Sequence, residues 1–256
     1  MGLMDTLINE SKPAPPKVLA YGLPGVGKTT LAADAKAVLI DCENGAGAIP
    51  KLHRTPYLKT WPEIKQWLDE MAALTKPPRV VAIDTLDWMV QRIKEHVVVD
   101  LDPKKPGQIT NSLGASHGGY FQARDIISNF IYRYVLPPLN AMNSHGAAIL
   151  LLAHAANVKI TTPEGTTVFM AAPDLPEFIL PAFVEWSDCV FYAKDAGERR
   201  VLQTVGSNVV VAKNRYSLPA ELPLSWGSFV SAMAQKWPKP EQAASASPSA
   251  NGEAKS

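Results

Sequence analysis

Cysteine is nearly missing from this chain: its 256 residues include only Cys42 and Cys189. Two thiols cannot build a disulfide framework or a zinc site by themselves, which points to a reducing compartment. Long apolar runs are missing as well. No stretch approaches the roughly 18–20 residues that span a bilayer. No basic segment followed by an apolar one opens the chain. A cytoplasmic protein with no membrane partner is therefore expected. Charge of one sign is not in excess either. A net charge of +1 excludes a grossly basic or acidic protein but leaves room for a local basic patch. There is no internal repeat. His53, His96, His117 and His145 show no ligand spacing, so no metal is assigned to them. What is there is ordinary globular material: 46% hydrophobic and 19% charged residues, enough for a sizeable core and too apolar for a disordered chain.

The organisation follows from periodicity. Residues 1–16 read as a flexible leader, ending in Lys12-Pro13-Ala14-Pro15-Pro16. Residues 237–256 are rich in Ala, Ser and Pro and read as a disordered tail. Residues 17–236 form the domain between them. Apolar runs Lys17 to Gly22, Ala37 to Glu43, Arg79 to Thr85 and Ala147 to His154 read as strands. Helix-length segments separate them, and continuous rather than alternating apolar strands fit burial on both faces. Thr60-Trp61-Pro62-Glu63 is a capping box, opening a helix with Ile64, Trp67, Leu68, Met71 and Leu74 on one face. Leu86 to Val99 and Gly119 to Val135 are predicted helices, the second interrupted at Pro137-Pro138. Ser187 to Lys194, Arg200 to Val205 and Val209 to Lys213 are predicted as a β-meander on one sheet edge, and a helix over about Ser225 to Lys236 closes the core. The expected class is α/β, with a mainly parallel sheet flanked by helices and a C-terminal β-meander extension.

The strongest motif is Gly22-Leu23-Pro24-Gly25-Val26-Gly27-Lys28-Thr29, which fits G-x-x-x-x-G-K-[ST] in full. The glycines let successive backbone N–H groups curl around a phosphate, and the following helix aims its N-terminus at the same point. Lys28 adds a point charge and Thr29 a hydroxyl for Mg²⁺, so Gly22 to Thr30, with Thr30 next along the helix, form the expected ATP site. No guanine-reading motif is present, which favours adenine by default. Asp84 ends an apolar strand and is placed to hold Mg²⁺ through water; otherwise it caps the next helix. Asp41-Cys42-Glu43 ends the strand after the P-loop helix. If that strand lies beside the P-loop strand or one place away, Glu43 can activate a water in line with the γ-phosphate. The bland alternative leaves Glu43 solvated on a loop.

The order P-loop, I-D-C-E, V-V-A-I-D and L-L-L-A-H resembles the RecA-like ATPase core, and most closely the small phage-encoded RecA-like ATPases that promote single-strand annealing. The resemblance spans about Lys17 to Trp237. It implies that Glu43 activates the attacking water and that His154, where a glutamine is usual, senses the γ-phosphate. His154 read alone is equally a satisfied core histidine. The resemblance also implies that Lys213 and Arg215 reach a neighbouring subunit's γ-phosphate, which requires a homo-oligomer, ring or filament; the alternative is a solvated strand end. It implies single-stranded DNA as partner, with a single-strand-binding protein alongside, in the host cell cytoplasm if the chain is phage-encoded.

Two stretches are too long and polar for plain connections. One runs from Asp100 to Gly119 with Lys104, Lys105 and Gly107; the other from Ala155 to about Phe183 with Asn157, Lys159, Thr161, Thr162, Gly165 and Phe169. In a RecA-like core these positions hold the DNA-binding loops. A few cations, glycine turns and aromatics such as Tyr120 and Phe169 suit a single strand. An ordinary hairpin and loop are the alternatives. Two other functions stay open: a P-loop small-molecule or nucleoside kinase, and a non-hydrolysing nucleotide-dependent interaction module. Arg199-Arg200, the only adjacent arginine pair, falls in a predicted tight turn, which argues against a kinase lid.

Overall fold

A computed structural model of the chain describes residues 14–102, 112–161, 165 and 167–236. The tail, most of the leader, Lys104, Lys105, Gly107 and Thr162 lie outside the described residues. The leader ends earlier than the sequence suggests. Pro15 O accepts Asn143 Nδ2 of α5 and Pro16 O accepts the Ile149 N–H of β5, so these two residues are tied to the domain.

The strands are β1 (Lys17–Gly22), β2 (Val38–Asp41), β3 (His53–Arg54), β4 (Val80–Asp84), β5 (Ala148–Thr161), β6 (Thr167–Pro173), β7 (Cys189–Asp195), β8 (Arg200–Gln203), β9 (Lys213–Asn214) and β10 (Glu221–Pro223). The helices are α1 (Lys28–Asp34), α2 (Trp61–Ala72), α3 (Leu86–Glu95), α4 (Gln122–Phe130), α5 (Leu136–Ser144), α6 (Leu180–Trp186) and α7 (Trp226–Lys236). The sheet order is β10-β8-β7-β1-β5-β4-β2-β3. From β7 to β3 neighbouring strands are parallel; β8 and β10 run antiparallel.

Continuous apolar strands are explained by two cores. Leu19, Tyr21, Ile83, Ile149 and Leu151 face one side, where α2 to α6 pack; Val18, Ala20, Ala82, Leu150 and Leu152 face the other, where α1 and α7 pack. Side chains alternate across a strand, so a strand covered on both faces needs apolar residues at every position. All six residues of β1 except Lys17 are buried.

Local signals hold in several places. Thr60 accepts the Glu63 N–H, Glu63 returns to the Thr60 N–H, and α2 starts there as expected. Its apolar face stops at Met71, however, and Leu74 lies beyond the helix and is exposed. Pro137-Pro138 does not interrupt the helical segment. A π-turn at Ile131–Val135 precedes it, with the Leu136 N–H donated to Ile131 O, and the prolines occupy the first turn of α5. Proline is tolerated in the first turn of a helix, whose N–H groups are not part of that helix's own ladder.

The C-terminal meander also differs from expectation. β7 joins the parallel core beside β1, with β8 and then β10 outside it. Val209 to Lys213 is not the third strand of that series. Its end crosses to the start of β7, where Lys213 pairs with Val190 and Asn214 with Cys189, and Glu221–Pro223 fills the edge instead. Cys42 and Cys189 are both free and buried. Among the described residues no helix is long and apolar enough to cross a membrane.

Candidate functional site

Neighbouring parallel strands run in register, so the residues closing β1, β4 and β2 share one rim with His154 in the middle of β5. Gly22 pairs with His154, Leu152 with Asp84, and Asp84 with Asp41. The P-loop leaves this rim from Gly22. A Cβ there would collide with Ala193 O of β7, so only glycine lets the two strands approach. Gly25 and Gly27 take positive φ of 77° and 108°, which curls the loop back into α1.

Lys28 is buried, and its Nζ donates to Gly22 O at 3.0 Å and Leu23 O at 3.2 Å. Burial lowers its pKa, against the opposing charges of Asp84, Glu43 and Asp87. Thr29 Oγ1 donates to Asp84 Oδ2 at 2.8 Å. Asp84 is 2% exposed, and its pKa is pushed up to about 6, chiefly by burial, with Glu43 and Asp41 adding repulsion and the Thr29 hydrogen bond opposing. A hydroxyl and a carboxylate in contact are hard oxygen donors, and a buried carboxylate with raised pKa gains from a cation. Thr29 and Asp84 therefore fit Mg²⁺.

β2 lies three places from β1, with β5 and β4 between, not beside it or one place away as expected for a base at Glu43. Glu43 nevertheless faces the P-loop, because it lies beyond the strand on a turn. Asp41 Oδ1 accepts the N–H groups of Glu43 and Asn44, and Asp41 Oδ2 pairs with Arg54 at 2.7 Å. The Cys42 N–H donates to Asp84 O, which pins the turn to β4. Glu43 Oε1 ends 3.5 Å from His154 Nε2. His154 Nδ1 lies 2.8 Å from Asp87 Oδ2, and the His154 N–H donates to Asp87 Oδ1 at 2.9 Å. The Asp87 hydrogen bond raises the His154 pKa more than burial lowers it.

The resulting cleft has a volume of about 280 Å³ and is lined by Pro24, Gly25, Gly27, Lys28, Thr29, Thr30, Glu43, Asp84, His154 and Arg200, among others. Leu23 and Val26 line an adjoining cleft of about 290 Å³ on the β7 side of the loop. The structure thus brings Lys28, Thr29, Glu43, Asp84 and His154 together. It does not bring Lys213 or Arg215 to the same cleft. They sit at the opposite end of the strands, where Lys213 Nζ donates to Val184 O, Glu185 O and Ser187 O, and Arg215 pairs with Asp188 at 3.3 Å.

Two residues escaped sequence reasoning. Asp87 lies in the first turn of α3, just past the end of β4, and carries no motif of its own. Arg200 opens β8 just after the β7–β8 turn, as the expected strand start at Arg200 has it, and its Nη1 stands 3.3 Å from where a Cβ on Gly27 would be. Its guanidinium has no hydrogen-bond partner among the described residues and lines both clefts. The Arg199-Arg200 pair was the available signal, but only the β7–β8 hairpin register aims it at the P-loop.

A family model described as an AAA domain matches residues 14–216, most of the chain and the whole of this cleft. No curated protein matches the sequence.

Proposed function

This chain belongs to the AAA domain family, and on that premise we propose that it is a Mg²⁺-dependent ATPase that binds single-stranded DNA and promotes annealing or strand exchange. Nucleotide-dependent ATPase chemistry comes with the family and its P-loop. The backbone of Gly22 to Thr29 and the Lys28 ammonium bind the triphosphate; Thr29 and Asp84 hold the metal, which neutralises phosphate charge when bound. Glu43 accepts the proton of the attacking water. Arg200 supplies a cation to the phosphates from within the same chain. Lys213 and Arg215, remote from their own cleft, act on a neighbouring copy in a homo-oligomer.

One observation carries the DNA reading. β5 is a single strand that presents His154 to the cleft and then runs on into a hairpin with β6. A displacement of His154 therefore moves the hairpin directly. On β6, Phe169 is 64% exposed and pairs with Lys159 across the hairpin, giving a stacking face beside a cation. The long stretch expected as a loop is thus half hairpin, followed by α6. The other stretch, Asp100 to Gly119, contributes Leu113 to a groove shared with the segment that follows β6. Arg124 lies over Phe121 at 4.2 Å and near Phe178 at 5.6 Å, and with Leu113 it borders a groove of about 500 Å³.

The test is phosphate release from ATP, with and without single-stranded DNA, over a range of salt. Stimulation that fades as salt rises is expected, since phosphate contacts release counterions. Equal rates with and without DNA contradict the DNA reading, and ADP formation that requires a small acceptor and yields no free phosphate points to a kinase.

A further inference from the structure

The segment Asp84 to Asp87 places two carboxylates close in sequence but facing different elements. Asp84 closes β4 and meets Thr29 of α1. Asp87, in the first turn of α3, turns instead to β5. Both of its oxygens are committed to one residue: Oδ1 accepts the His154 backbone N–H at 2.9 Å, and Oδ2 lies 2.8 Å from His154 Nδ1. The two side chains are largely enclosed, 14% exposed for Asp87 and 19% for His154. An ionised carboxylate only accepts hydrogen bonds, so the proton between the pair belongs to Nδ1. That leaves Nε2 as the nitrogen turned to the cleft, 3.5 Å from Glu43 Oε1.

We propose that Asp87 is a positioning residue for the nucleotide site: by accepting the Nδ1 proton of His154 it fixes the ring so that Nε2 faces the part of the cleft where Glu43 stands. The proposal rests on the ATPase reading above and names a residue that reading does not use. A histidine on a strand can turn about its ring torsion, which puts Cδ2 where Nδ1 stood and Cε1 where Nε2 stood. Asp87 holds backbone and ring of the same residue, so the turn requires breaking the ring hydrogen bond while the carboxylate stays in place. Lys28 on α1 and Glu43 beyond β2 also act on this ring, with opposite effects on its proton. In the neutral ring Nε2 is an acceptor. In the protonated ring it donates, either to Glu43 or to a phosphate oxygen bound between them. Asp87 serves both forms, since Nδ1 carries a proton in each.

Two readouts on the full chain test this. In histidine-labelled protein, long-range ¹H–¹⁵N spectra report which nitrogen of His154 is protonated, the signal being assigned by its loss in His154→Gln. The wild type is expected to carry the proton on Nδ1 when neutral, and Asp87→Ala to shift it toward Nε2. In ATP hydrolysis, Asp87→Ala should lower kcat tenfold or more, leave KM for ATP within about twofold, and add nothing further in a His154→Gln background. An unchanged His154 spectrum in Asp87→Ala, or effects of the two substitutions that multiply, overturns the proposal. If Asp87→Ala fails to fold, Asp87→Asn takes its place. Losing the carboxylate charge should then lower the pH at which His154 gives up its proton, and an unmoved titration overturns the proposal. Absence of hydrolysis in the wild type would sink the ATPase reading, and the spectra would still decide the place of Asp87.

Discussion

Burial and charge oppose each other most strongly at Asp84. Its folded pKa of about 6 lies above that of an unfolded aspartate, so the folded chain holds this proton more tightly. The stability tied to the protonated form is complete below the unfolded pKa, near 4, and is lost as pH rises through about 6. The gap between those two values corresponds to roughly 3 kcal/mol at neutral pH. Asp84→Asn keeps an acceptor for Thr29 and removes the charge. In chelator, its Tm should exceed that of the wild type by several degrees at pH 8 and by little at pH 4. A Tm at pH 8 equal to or below the wild type shows that the carboxylate is not under this strain. Much of the site was legible at this scale because a P-loop is a contiguous motif whose chemistry is fixed by spacing. Asp87 and Arg200 were not legible, because each reaches the site from an element whose neighbours only the sheet order determines.

Among the elements, the β1–β7 contact depends on a missing side chain. Ala193 O occupies the space a Cβ on Gly22 would need. Gly22→Ala should push these parallel strands apart, cost roughly 1–3 kcal/mol in denaturant unfolding, and weaken ATP binding, since the P-loop begins there. A variant as stable as the wild type that binds ATP equally would show that the strands separate freely. The capping box of α2 was readable because it is closed by residues three apart. The β5–β6 hairpin was readable only as the alternative to a DNA-binding loop. Beyond His154 the strand loses its apolar continuity, and it pairs from Ala155 to Thr161 with β6. Alternation on a two-stranded ribbon is a weaker signal than a buried run. Similarly, Pro137-Pro138 suggested a break because the π-turn that admits the prolines leaves no mark in the sequence.

At the scale of the molecule, strands with apolar residues at every position predicted a sheet covered on both faces, and the two cores meet that expectation. Strand order was beyond reach, since apolar strands of similar length do not identify their neighbours. That is why β2 lies farther from β1 than Glu43 seemed to require. Order also decides the place of Lys213 and Arg215, at the end of the sheet away from the P-loop. If these side chains complete a neighbour's site, mixing inactive Arg215→Ala with inactive Lys28→Ala should restore some hydrolysis, because some interfaces then pair an intact P-loop with an intact arginine. Mixed assemblies, demonstrated by size, that hydrolyse no more than their separate components contradict action between copies. The most direct test of the whole account compares ATP binding and phosphate release in the wild type, Lys28→Ala and Glu43→Gln, with Mg²⁺ present. Lys28→Ala should lose both, while Glu43→Gln should bind ATP and turn it over roughly 10²-fold more slowly or worse. Hydrolysis at the wild-type rate in either variant would contradict a P-loop ATPase whose base is Glu43.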